Sequence, residues 1–335
     1  MGLLQHIKTM NKVYIIAEVG VNHNGDKNLA YRLIDLAKAA GADAVKFQHF
    51  YPELLCSTIY RKEEMNMLKK YMLTPETLKE LQTYTLKNKL DFIVTPFDFK
   101  SMEEIVGLTN VIIKIASGEL THIPFLKKAA SYKNDLIIST GAASMSDVER
   151  AVNEIENIKK DPIGILHCIS AYPAPDESLN LRNIITLKKA FSNHIIGYSD
   201  HSLGSIAGNL AVALDCKIIE KHITLDKKLN GPDHCASADQ YDFTNMINTI
   251  RKAEKILGNY TKMPQECEGI IGRSIVAKRD IKAGEILDED AIDFKRPGNG
   301  IRPYDVSKLL GCIVQNDIDK DEFIRWQDMK EQENQ

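Results

Sequence analysis

Eight short apolar runs recur over the first 222 residues, each followed by a stretch with helical spacing, and this alternation leaves few folds open. The runs are VYIIAE (13–18), AVKF (44–47), FIVT (92–95), VIIKI (111–115), LIIST (136–140), IGILHC (163–168), IIGYS (195–199) and KIIEKH (217–222). They are rich in β-branched residues and apolar on both faces, which suits buried parallel strands. Between them, Leu29, Leu33, Leu36 and Ala40 repeat at helical spacing. Thr74-Pro75 reads as a cap followed by proline in the first turn. Ser146-x-x-Glu149 reads as a capping box ahead of Val148, Val152 and Ile155. Further helices fit around 102–107, 123–131, 180–191, 203–214 and 241–257.

Eight such units in about 260 residues predict a (β/α)8 TIM barrel. The alternative, an open doubly wound sheet, would carry a glycine-rich phosphate turn after its first strand. Here that turn is GVNHNG, which lacks the dinucleotide pattern. The pattern changes near residue 258. We assign 1–258 to the barrel, 259–271 to a linker and 272–332 to a small β-rich domain with a short helix at 304–310.

The net charge of −3 carries no basic excess, which argues against nucleic acid. No run is long and apolar enough to span a bilayer. Cys56, Cys168, Cys216, Cys235, Cys267 and Cys312 are scattered without a C-x-x-C pair. That argues against a disulfide framework or structural zinc and fits a reducing cytoplasm. The opening MGLLQHIKTMNK is too short and polar for a secretory signal. Met10 is an alternative start, with the residues before it a dispensable extension.

In barrels of this class the chemistry lies at the C-terminal strand ends. Those ends carry Glu18, Lys46, Thr95, Lys114, Ser139, His167, Ser199 and His222, where packing alone would place Val, Leu or Ile. His201 and His222 end adjacent strands and form a candidate divalent-metal pair; His23 is close to the rim. Two imidazoles make a loose site, which suits Mn²⁺ or Mg²⁺ better than structural zinc. Lys46 and Lys114 end apolar strands, and a buried lysine needs an anion. With Thr95, Ser117, Ser139 and Ser199 they suit a phosphate or carboxylate. The alternatives are ion pairs with Glu18, Glu119 or Glu220, or a Schiff-base lysine. Asp233 in GPDH suits sugar hydroxyls or a turn. Arg296 before Pro297 is either a rigidly presented cation or part of a turn.

The strings IIAEVGVNHNG, AVKFQ, TPFD, KIASGE, STGAAS, LHCISAYPAP, GYSDH, EKHITLD, GPDHCAS and KRPGNG occur in this order. The ordered set resembles the sialic acid (nonulosonate) synthase family over roughly residues 12–330. The resemblance implies condensation of phosphoenolpyruvate with an N-acetylated mannose-type sugar to a nine-carbon 2-keto acid and phosphate. It implies that the tail is an antifreeze-like (SAF) domain and that the protein is a domain-swapped homodimer. Carried over by motif, His201 and His222 hold the metal. Lys46, Thr95, Lys114, Ser117, Ser139 and Ser199 hold phosphoenolpyruvate. Gln48, Tyr172 and Asp233 face the sugar, and Arg296 reaches its N-acetyl group from the neighbouring chain. Glu18 sits at the reacting carbons, with Glu119 and Glu220 nearby.

Three departures fall on the sugar side. The segment after KFQ is short and offers no match to a family asparagine. Ile169 and Ser170 replace a polar pair, and Ile270 stands near a family phenylalanine. N-acetylmannosamine and a 2,4-diacetamido-6-deoxy hexose therefore both remain as acceptors. The rivals are a different phosphoenolpyruvate aldol synthase, a Schiff-base aldolase, and an ice- or carbohydrate-binding module on an inert barrel.

Overall fold

The computed structural model describes residues 2–263, 265 and 270–330. The eight strands close into a parallel barrel in sequential order. They are β1 (Tyr14–Gly20), β2 (Ala44–His49), β3 (Asp91–Pro96), β4 (Ile112–Ile115), β5 (Leu136–Ser139), β6 (Gly164–Cys168), β7 (Ile195–Asp200) and β8 (Ile218–His222). The helices are α1 (Leu3–Thr9), α2 (Lys27–Ala40), α3 (Pro52–Leu55), α4 (Lys62–Leu68), α5 (Pro75–Lys87), α6 (Phe99–Ile105), α7 (Ile123–Ala130), α8 (Met145–Glu156), α9 (Asn183–Ala190), α10 (Ile206–Ala213) and α11 (Gln240–Leu257). The barrel predicted from the alternation is thus the fold observed.

Period-two alternation divides each strand between two cores. Outward residues such as Val45, Phe92, Ile165 and Ile219 pack under the helices. Inward residues Tyr14, Ile16, Ala44, Ile93, Ile112, Ile137, Leu166, Ile195 and Ile218 fill the lower barrel. Continuing the same parity upward brings Glu18, Lys46, Thr95, Lys114, Ser139, Cys168, Ser199 and Glu220 to one cavity. The apolar floor and the polar rim are therefore one alternation read at two heights.

One helix cap needs correction. Thr74 caps α5 as read, accepting from Thr77 N–H. The capping box of α8, however, is Ser144 with Asp147, not Ser146 with Glu149. Ser146 is already inside the helix, and its hydroxyl pairs with that of Ser144 at 2.9 Å.

The first residues, read as an extension before Met10, pack against the barrel. Leu4 and Ile7 lie one turn apart on α1, are 1% and 0% exposed, and close the floor of the barrel. Sequence missed this because seven polar-flanked residues carry too little periodicity. Ile7→Ala should lower stability by about 2–4 kcal/mol, the usual cost of an internal cavity. Denaturant unfolding followed by circular dichroism checks this, and an unchanged midpoint would refute the plug.

The chain divides into two compact units, Met1–Gly258 and Asn259–Gln335. In the second, β9 (Ser274–Ala277) pairs antiparallel with β10 (Ile292–Lys295), Ile292 opposite Ala277. Ile275, Ile281, Leu287, Leu309, Val314 and Ile324 form its own core. The helix expected at 304–310 is a 3₁₀ turn over Pro303–Lys308. Cys56, Cys168, Cys216, Cys235 and Cys312 are free. Cys267 and part of the expected linker lie outside the described residues. Among the described residues no helix is long and apolar enough to cross a membrane.

Candidate active site

The rim cavity has a volume of about 260 Å³ and is lined by Glu18, Lys46, Gln48, Thr95, Lys114, Ser117, Ser139, Tyr172, Ser199, His201, Glu220 and His222. All of these are residues that the sequence singles out. Phe97, Ala116, Gly118, Cys168 and Ser170 complete the wall. A larger cavity of about 360 Å³ lies beside α8 and α9. None of its lining atoms is a buried polar atom lacking a partner. The rim cavity differs: Glu18 Oε2, Thr95 Oγ1, Glu220 Oε2 and His222 Nδ1 are buried there without a hydrogen bond. Buried polar atoms without hydrogen bonds are costly, and their convergence on one cavity suits a polar ligand.

The charged centre is a buried quartet. Lys46 Nζ lies 3.4 Å from Glu18 and 3.1 Å from Glu220, and Lys114 Nζ is 3.8 Å from Glu220. Lys114 also donates to Ser139 Oγ at 2.6 Å, and Ser199 donates to Glu220 at 2.8 Å. Gln48 donates to Glu18 at 3.0 Å. The ion pairs expected as the alternative are thus present, and both lysines also line the cavity. The two carboxyls separate in acidity. Burial, opposed by Lys46, pushes Glu18 up to about 7. Burial acts on Glu220 as well, but Lys114 and Lys46 outweigh it and hold that carboxyl well below the usual range. Burial, opposed by Glu220, brings Lys114 down to about 8. Such a split assigns permanent charge to Glu220 and proton exchange near neutrality to Glu18.

His201 and His222 stand side by side with ring centroids 5.4 Å apart. His201 Nδ1 lies 2.7 Å from Ile169 O, an acceptor, so Nδ1 carries the proton and Nε2 keeps its lone pair. Burial, then neighbouring His201, hold His222 well below the usual histidine range. The Tyr172 ring lies 4.1 Å from that of His201. Asp233 Oδ2 is 3.8 Å from His222 Nδ1. Gly20, at φ +54°, is required here: a Cβ would sit 3.2 Å from the His222 ring and 3.4 Å from Asp233. Burial acts on His201 as well, but contacts with Cys168 and Ile169 O outweigh it and raise its pKa above the usual histidine value. Two imidazoles, one with an orphaned buried nitrogen, fit a divalent ion that displaces any proton on His201 and takes its other ligands from water or substrate. Among the described residues no group of three or more His, Cys, Asp or Glu converges as a closed metal cage.

Within the barrel, not every candidate reaches the cavity. Glu119 is turned to His122, 3.0 Å from its Nδ1. His167 faces outward, 2.7 Å from Leu179 O and stacked on Tyr198. The inward residue at this strand end is Cys168, whose Sγ is 3.7 Å from His201 Nδ1. His23 is fully buried beside Phe47. Arg296 is exposed on the second unit.

The comparisons with known proteins decide the family. The NeuB family matches residues 33–262, and the SAF domain matches residues 272–330. The chain belongs to the NeuB family. It is 44% identical over 320 residues to uncharacterized protein MJ1065 of Methanocaldococcus jannaschii, covering 94% of each chain. It is 40% identical over 334 residues to the N,N'-diacetyllegionaminic acid synthase of Campylobacter jejuni, covering 94% of this chain and all of that one. Among solved structures, the N-acetylneuraminic acid synthetase of Leptospira borgpetersenii in complex with citrate superposes with a TM-score of 0.72. That protein is 39% identical, with 77% of this chain and 89% of that one covered. The family resemblance read from the ordered motifs therefore holds, SAF domain included.

Proposed function

We propose that this NeuB-family chain condenses phosphoenolpyruvate with an N-acetylated mannose-type sugar and water, releasing phosphate and a nine-carbon 2-keto acid. One observation carries the reading: a buried carboxyl–lysine quartet stands beside an open pair of histidines on one barrel rim. The names of the Campylobacter and Leptospira proteins support diacetyllegionaminate and N-acetylneuraminate as candidate products. The acceptors are then a 2,4-diacetamido-6-deoxy hexose or N-acetylmannosamine.

Lys46, Lys114, Thr95, Ser117, Ser139 and Ser199 supply the cations and hydroxyls that hold phosphate and carboxylate. Gln48, Tyr172 and Asp233 supply the sugar side. A Mn²⁺ or Mg²⁺ ion held by His201 and His222 would supply Lewis acidity toward the sugar aldehyde. C3 of phosphoenolpyruvate forms a bond to the aldehyde carbon, whose oxygen takes a proton. Water adds at C2, and the C2–O bond breaks so that phosphate leaves with the bridging oxygen. Glu18 takes the proton of that water, with Glu220 as a fixed negative charge opposite the cation formed at C2. The family resemblance supports a cytoplasmic homodimer in which Arg296 reaches the N-acetyl group from the neighbouring chain.

A base must be ionised, so kcat/KM should rise with pH through about 7, the value to which burial brings Glu18. Glu18→Gln should flatten that limb and lower the plateau. A Glu18→Gln enzyme with wild-type rate and the same rising limb would remove Glu18 from this role. Borohydride trapping with pyruvate tests the rival Schiff-base aldolase, and no lysine should be labelled.

A further inference from the structure

We infer that the buried Asp200–Lys221 pair is a positioning device that sets the spacing of His201 and His222. The inference rests on the two-histidine metal reading above. Asp200 and Lys221 are register partners across β7 and β8, and each immediately precedes one of the histidines. Their side chains are 0% and 3% exposed, and Lys221 Nζ is 2.7 Å from Asp200 Oδ2. Lys221 also donates to Ser202 O at 2.8 Å. The other oxygen, Asp200 Oδ1, accepts from Ser202 N–H at 2.9 Å, Ser202 Oγ–H at 2.6 Å and Tyr198 O–H at 3.3 Å. The pair therefore ties both strands to the backbone on either side of His201.

The pair lies outside the barrel wall, away from the cavity. Gly208 of α10 faces it: a Cβ there would sit 3.7 Å from Asp200 Oδ2, in ordinary van der Waals contact. Neither side chain lines the rim cavity. A fully desolvated ion pair is a poor source of net stability compared with apolar residues of similar size. Its value here is directional. Five contacts converge on the turn that carries His201, and one residue of slip between β7 and β8 would separate the imidazoles and break the pair together. From inside the barrel His201 is held by Ile169 O and packed by Tyr172. The clamp and these contacts grip the histidine from opposite sides of the sheet. Outer partners of this kind orient metal ligands without touching the metal.

The test is Mn²⁺ titration of the full chain, read by loss of the free-ion electron paramagnetic resonance signal. Removing both charges in Asp200→Leu/Lys221→Met leaves no unpaired buried ion, so the fold should persist with a thermal midpoint within about 5 °C of wild type. Mn²⁺ affinity should nevertheless fall ~10–100-fold. Lys221→Arg, which keeps the charge and a donor, should retain affinity within about threefold. A folded double variant with wild-type Mn²⁺ affinity overturns the inference. Should the double variant not fold, Ser202→Ala decides: it deletes one bond to Asp200 and should weaken Mn²⁺ by about threefold. No change there overturns the inference too. A wild-type chain that binds no Mn²⁺ overturns the two-histidine reading itself, an outcome distinct from the other two.

Discussion

His222→Ala should lower turnover by about 10³-fold and abolish tight divalent-metal binding, while the barrel stays folded. The expected loss corresponds to ~4 kcal/mol of transition-state stabilisation, the scale of Lewis-acid assistance. His222 ends β8 and keeps a buried nitrogen without a hydrogen bond, so no internal hydrogen bond depends on that atom. Burial holds the ring neutral, the form in which it can donate a lone pair. Alanine leaves space beside Gly20 and Asp233 that water can enter. The loss should therefore fall on metal binding and kcat and spare stability. Calorimetric metal titration and steady-state rates check both parts. Full activity in His222→Ala, or in wild type with excess chelator, would contradict the role.

The second large effect concerns Lys46→Met, which should cost both stability and substrate binding. Among the described residues Lys46 is the only cation within 4 Å of Glu18, and it also pairs with Glu220. Breaking a buried pair by removing one partner typically costs about 3–5 kcal/mol. Here part of that cost is avoidable, because Glu18 can take a proton. Its folded pKa is already about 7, above the ordinary carboxyl value, and loss of the opposing Lys46 charge moves it further up. A group with a raised folded pKa loses stabilisation as pH climbs through that value. The variant should therefore be moderately weaker than wild type at pH 6, where Glu220 alone lacks Lys46, and clearly weaker at pH 8.5, with the gap in thermal midpoint widening between them. Saturation with phosphoenolpyruvate should need ~100-fold more substrate, as one charge-assisted contact to the anion is gone. A pH-independent loss of stability would show that Glu18 does not buffer the quartet.

Much of this site is legible in the chain because a parallel barrel obeys one rule. Inward parity runs along each strand, so Ile16 predicts Glu18 and Ile218 predicts Glu220 and His222. The same rule corrects the one misread end: with Leu166 inward, Cys168 lines the cavity and His167 cannot. Glu119 was harder, since it follows β4 in a 3₁₀ turn where strand parity no longer holds. The Asp200–Lys221 pair was invisible because its partners are 21 residues apart and only register unites them. The α8 cap was displaced by two residues because Ser144-x-x-Asp147 and Ser146-x-x-Glu149 are equally good boxes in one dimension. The floor helix has a two-residue apolar signal, Leu4 and Ile7, whose meaning depends on an open barrel end beneath it.

The central claim is that the rim joins phosphoenolpyruvate to an N-acetylated sugar. The most direct measurement is one incubation series with phosphoenolpyruvate, Mn²⁺ and either N-acetylmannosamine or a 2,4-diacetamido-6-deoxy hexose, with products read by mass and phosphate counted. The account predicts one phosphate released per nine-carbon keto acid formed, and only when anion, aldose and metal are all present. Phosphate released without an aldose, product formed in chelator, or pyruvate accepted in place of phosphoenolpyruvate would contradict it.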